Sequence, residues 1–163
     1  MTAPLPCFEE RVRPEWIDYN GHLSEAYYVL VFGHATDALM VETGLGPTYR
    51  ERSGCSLYTV ESHIRYLNEV DDGARLTVRT RVLGADAKKV RFTHEMFTGL
   101  EQAAPPPDDA APVATTELLA LHVDQSTGRT SPFPDEVRER LASLAEEPPA
   151  WAGRAIGRVP KAE

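Results

Sequence analysis

Cysteine is almost absent from this chain: Cys7 and Cys55 are the only two among 163 residues. That excludes a small scaffold stapled by disulfides, and a reducing cytoplasm is the expected compartment. Long apolar runs are missing too. No stretch approaches the roughly 18 residues that suggest a membrane span. Met1 to Pro6 has neither a basic n-region nor an apolar h-region, so no signal peptide is expected. Basic residues are outnumbered, 17 Lys and Arg against 25 Asp and Glu, for a net charge of −8. Nucleic acid and anionic membranes both require a basic surface, so neither is an expected partner.

Several catalytic signatures are also absent. There is no Gly-x-Ser-x-Gly elbow, phosphate loop or dinucleotide fingerprint. No two histidines stand four apart with a third ligand in reach, and the cysteines lack metal-site spacing. Neither a metal nor an organic cofactor is expected.

What remains is ordinary globular material, 42% hydrophobic and 26% charged, long enough for one core without staples. The expected division is a single domain over 1–147 and a C-terminal tail over 148–163.

Phe8 to Trp16 reads as a short first strand that Pro14 ends or holds at an edge. Asp18 to Gly21 is turn chemistry. A long helix then runs from Ser24 to Thr43, about 30 Å at ~1.5 Å per residue. Ser24 is its expected N-cap, with Glu25 in the first turn where the helix dipole favours negative charge. Tyr28, Val31, Phe32, Ala35 and Leu39 make one apolar face, and Gly44 and Pro47 supply the stop.

Four strands follow in the pattern of an antiparallel sheet: Leu57 to Leu67, Leu76 to Leu83, Val90 to Phe97 and Val113 to Val123. In the first of these, strict alternation puts Tyr58, Val60, Ile64 and Tyr66 on one face. Thr59, Glu61, His63 and Arg65 fall on the other. Gln102 to Pro112 reads as an exposed hairpin loop, and a last helix starts after Pro134. From Ala150 the chain reads as an extended tail with Trp151 available to pack back. One helix with one apolar face and one sheet with one apolar face must cover each other. The expected class is α+β, an antiparallel sheet of about five strands wrapped around one long central helix.

The chemistry gathers at Asp18-Tyr19-Asn20-Gly21-His22, just before that helix. Asp18 can attack an acyl carbon or activate water. Free N–H groups at a helix start can polarise a carbonyl. Gly21 permits close backbone approach, and His22 can position water or bond the carboxylate. The same residues also make a plain Asx turn and a capped helix, and by themselves do not distinguish the two. His34, His94 and His122 read as structural.

Asp18-x-x-Gly21-His22, then Leu23, Ala26, Tyr28 and Phe32, resembles the 4-hydroxybenzoyl-CoA-thioesterase-like branch of hotdog proteins over about Arg11 to Val123. Ala35-Thr36-Asp37 and the run Tyr58-Thr59-x-Glu61-x-His63-Ile64-x-Tyr66 look more narrowly like thioesterases linked to carnitine and betaine metabolism. The resemblance implies a hotdog fold, an acyl-CoA substrate, and a homodimer or homotetramer with active sites shared between subunits. It implies that Asp18 is nucleophile or general base, supported by Asn20, Gly21 and His22. Tyr28 on the helix, and Thr59, Glu61 and His63 on the neighbour's strand, are the expected substrate-binding residues. An acidic pocket around Glu61 would suit a quaternary-ammonium acyl group, with Tyr or Trp rings for cation–π contact. Two other readings stand beside this one: a hotdog hydratase or dehydratase using His34 and Asp37, and a non-catalytic acyl-binding module.

Overall fold

The computed structural model describes residues 3–162. Strand β1 (Phe8–Arg11) leads into a 3-10 turn, Pro14–Trp16. Helices α1 (Glu25–Glu42) and α2 (Pro47–Ser53) precede strands β2 (Cys55–Tyr66), β3 (Arg75–Ala85), β4 (Lys89–Thr98) and β5 (Ala114–Asp124). A two-residue strand β6 (Arg129–Thr130) and helix α3 (Asp135–Leu144) follow. The sheet is antiparallel in the order β1-β3-β4-β5-β2, with β6 against β5. The expected α+β architecture holds, with the five strands of this path packed on α1.

The α1 face read from spacing is the face that packs: Tyr28, Val31, Phe32, Ala35 and Leu39 are its buried residues. Its first half joins one cluster with Trp16, Leu76, Val78 and Met96. Leu39 joins a second, with Val82, Phe92 and Leu118, which α3 closes with Val137 and Leu141. The helix is not polar on its far side, however: Val29 and Leu30 are exposed.

Three expectations need correction. The first strand does not reach Trp16; it ends at Arg11, and Pro14 opens the 3-10 turn that buries Trp16. Proline lacks the donor that a ladder needs but is well placed at the first position of a helical turn. Helix α2 went unread, although Pro47 at its start and Gly54 at its C-cap, φ +68°, are its punctuation. The third correction concerns β2. A bulge between Thr59 and Glu61 leaves Val60 without a partner on β5, and one extra residue reverses the alternation beyond it. Leu57 and Thr59 therefore share the helix side with Ser62 and Ile64. Glu61 and His63 lie on the outer side with Arg91 and Glu117.

The three histidines read as structural are all held. His34 Nδ1 lies 2.7 Å from Glu10 Oε2. His122 donates through Nδ1 to the Ser131 carbonyl at 2.7 Å and accepts from the Tyr49 hydroxyl at 2.9 Å. His94 is wholly buried between Thr36 and Thr80, at 2.9 and 2.8 Å. The Thr36 hydroxyl donates to the Phe32 carbonyl, so it accepts from His94 Nε2–H, and Thr80 donates to Nδ1. That chain fixes a neutral ring, and burial pushes its pKa down to about 3.

Candidate active site

The Asp18 turn is built by backbone bonds at both ends. Ile17 and Leu23 form an antiparallel bridge, and Asp18 N–H donates to the His22 carbonyl at 3.0 Å. Ser24 N–H reaches the Trp16 carbonyl and Leu23 N–H the Val70 carbonyl. Inside this clamp Gly21 N–H donates to the Asp18 carbonyl at 3.0 Å, and Asn20 N–H donates to Asp18 Oδ1 at 2.8 Å. That is the Asx turn expected of Asp and Asn here. It leaves Oδ2 without a hydrogen-bond donor among the described residues, on a carboxylate whose position the turn fixes.

Gly21 has φ +84°, a left-handed conformation that a side chain makes costly. Gly21→Ala is expected to lower stability by about 1–2 kcal/mol and to reduce activity by loosening the turn that holds Asp18. Denaturant titration and a CoA-release assay on the same variant check this.

Ser24 occupies the N-cap of α1, as expected, but its side chain makes no cap hydrogen bond. The first N–H groups of the helix, at Glu25 and Ala26, thus remain available to a ligand oxygen, beside the turn that carries Asp18.

His22 is not on Asp18. Its Nε2 lies 3.3 Å from Glu69 Oε2 and 3.7 Å from Asp71 Oδ1, so the ring faces the segment that follows β2. There it lines a cleft of about 390 Å³ with Glu25, Tyr28, Tyr66 and Glu69. Tyr28 is buried and donates to the Asn68 carbonyl at 3.0 Å. Its ring meets that of Tyr66 edge to face, centroids 5.2 Å apart. Burial raises both phenols' pKa values; Glu69 adds to the effect at Tyr28 and Glu25 at Tyr66, so a carboxylate stands near each ring.

The structure thus brings Asp18, Asn20 and Gly21 together in one turn, and His22 and Tyr28 together in the cleft beside it. Thr59 lies elsewhere, in a groove between α1 and β2 lined also by Thr36 and Asp37. Glu61 and His63 lie in a third cleft, on the outer face of the sheet. Glu25, Tyr66 and Glu69 were not read as site residues. Tyr66 had been assigned to a packing face, and Glu69 stands in a connection with no local pattern. A further cavity of about 520 Å³ adjoins the Thr59 groove, with which it shares Asp37 and Leu57. It lies against α2 and is lined by His34, Asp37 and Arg50, and its His34 is already engaged by Glu10.

Residues 12–141 match the family described as the Thioesterase-like superfamily, and the chain belongs to it. The protein is a hotdog-fold thioester hydrolase.

Among individual proteins it is 42% identical to the betainyl-CoA thioesterase of Pseudomonas aeruginosa, covering 98% of this chain and 99% of that one. It is 45% identical to an L-carnitine dehydrogenase/betainyl-CoA thioesterase of Agrobacterium fabrum over 86% of this chain, which spans 27% of that longer protein. In fold it resembles a Staphylococcus aureus protein solved in complex with CoA, at TM-score 0.80 and 23% identity, covering 98% of this chain and 100% of that one.

Proposed function

We propose that the thioester is that of a small acyl-CoA, that the acyl group is betainyl, and that Asp18 carries the reaction. The observation that carries this reading is the clamped Asp18 carboxylate beside the uncapped start of α1. The thioester carbonyl accepts hydrogen bonds from the first N–H groups of the helix, which stabilise the oxyanion as the carbonyl carbon becomes tetrahedral. Asp18 either adds to that carbon, giving a mixed anhydride that water cleaves, or takes a proton from the water that adds. In both routes CoA leaves as its thiolate and the acyl group as the free acid. Asn20 and Gly21 hold the carboxylate in place, and His22 and Tyr28 shape the cleft alongside. The betainyl assignment is supported by the names of the two relatives above.

The site is completed, on this reading, by a second copy of the chain. Strand β2, 12 residues long, is an edge of the sheet. It exposes Val60 at 53% and Tyr66 at 46%, on an edge with no neighbouring strand among the described residues, and monomers seldom leave so long an edge open. Pairing two β2 strands would cover this edge along with the exposed Val29 and Leu30 of α1. Because Tyr66 and Leu67, at the end of β2, line the cleft beside Asp18, the partner would lie next to the active site. Thr59 then serves from the groove that pairing closes. Glu61 and His63, on the outer face, are left to contacts other than the acyl group.

Purified protein is expected to release CoA from betainyl-CoA and to sediment as a dimer or tetramer. Val60→Asp is expected to yield monomers with at least about tenfold lower kcat/KM. Sedimentation and thiol titration on the same sample check both. A fully active monomer would sink the shared site, and failure to cleave any acyl-CoA would sink the substrate assignment.

A further inference from the structure

We propose that the cleft formed by Glu25, Tyr28, Tyr66 and Glu69 is the acyl-headgroup site, and that it selects a quaternary ammonium over an uncharged group of the same shape. This inference rests on the acyl-CoA reading above and specifies which residues recognise the acyl group.

A trimethylammonium cannot donate a hydrogen bond. It is held instead by aromatic rings and by nearby negative charge. The cleft supplies both: the half-exposed Tyr66 ring braced edge-on by buried Tyr28, and the Glu25 and Glu69 carboxylates at the same walls. Neither arginine nor lysine lines it. Glu25 has no ion-pair partner among the described residues, while Glu69 has only His22 close by, at 3.3 Å.

The position is also the one required. In a betainyl thioester the cationic nitrogen is a single methylene from the carbonyl carbon. Whatever recognises it must therefore stand beside whatever polarises the carbonyl. Glu25 does both on this assignment, offering its backbone N–H at the helix start and its carboxylate to the cleft. The carboxylate that the sequence offers for the acyl group does not meet that requirement, since Glu61 lies on the outer side of the sheet.

The test compares betainyl-CoA with 3,3-dimethylbutanoyl-CoA, in which a carbon replaces the cationic nitrogen and the shape is kept. The ratio of the two kcat/KM values isolates the charge, whatever a variant does to the absolute rate. For the unaltered protein this ratio is expected to exceed about tenfold. Glu25→Gln, Glu69→Gln and Tyr66→Leu should each lower it by about threefold or more, and the Glu25/Glu69 double variant should bring it close to unity. Tyr66→Phe, which keeps the ring, should retain the preference. Equal turnover of both thioesters by the unaltered protein, or an unchanged ratio in the double variant, overturns the headgroup site and leaves the hydrolase intact. If neither thioester releases CoA, the substrate reading falls and this inference falls with it.

Discussion

Asp18→Asn is expected to lower kcat for thioester hydrolysis by about three orders of magnitude while leaving the fold unchanged. Asparagine keeps an oxygen where Asp18 Oδ1 now accepts from Asn20 N–H at 2.8 Å, so the Asx turn survives. What is lost is the negative charge, and with it both the nucleophile and the proton acceptor. The measurement is CoA release under saturating substrate, paired with urea denaturation of the same preparation. Retained activity in a folded variant would remove Asp18 from the mechanism. A single turnover of the unaltered enzyme in ¹⁸O-water separates the two routes. Label reaches the Asp18 carboxylate only when water cleaves an anhydride at the aspartyl carbon. Label found only in the acid product is given both by water attacking the acyl carbon of an anhydride and by general-base hydrolysis. Trapping an acyl-enzyme with hydroxylamine then distinguishes these two.

The second large effect concerns acid. His94 is neutral in the folded protein with its pKa pushed down to about 3 by burial, whereas an unfolded chain protonates histidine near pH 6.5. Above pH 6.5 neither state binds the proton, and His94 makes stability no function of pH. Below it only the unfolded chain is protonated, so stability falls with pH by about 1.4 kcal/mol per unit. The loss continues until the pH approaches the folded value, and amounts to roughly 4–5 kcal/mol in all. Carboxylates titrate in the lower part of that range, so the window from pH 6.5 to 5 is the diagnostic one. His94→Gln does not titrate. It is expected to flatten the slope in that window relative to the unaltered protein, and to cost about 1–3 kcal/mol at pH 8 if Thr36 and Thr80 are less well matched. Parallel urea midpoints across the pH series would show that another group sets the slope.

Helix α1 was legible almost residue by residue, because its buried positions recur at the helical period. The Asp18 turn was legible for a different reason: its Asp, Asn and Gly have few other uses in a row. His22 was only half legible. Its proximity to Asp18 in sequence suggested a partnership, whereas the turn points the ring at Glu69 and Asp71. The headgroup cleft was legible only in His22 and Tyr28, since Glu25, Tyr66 and Glu69 converge on them from a helix start, a strand end and a connection. No periodicity links such positions. Strand β2 failed for the most instructive reason. Period-two reasoning assumes that every residue advances the pleat, and Val60 does not.

That unpaired residue also governs how variation in this strand must be interpreted. Leu57 and Thr59 on one side of it and Ser62 and Ile64 on the other occupy a common surface despite opposite parity. A lineage that loses Val60 together with the bulge keeps everything downstream on its present side, because Glu61 opposite Leu119 is already the next step after Thr59 opposite Ala120. A lineage that keeps Val60 but pairs it in regular alternation instead turns Glu61 and His63 from the outer surface to the helix side, carrying a carboxylate and an imidazole into the groove where Thr59 now stands. Two chains of this kind can therefore share every letter of the motif and still present different chemistry to their substrates, with no gap between their sequences to mark the difference.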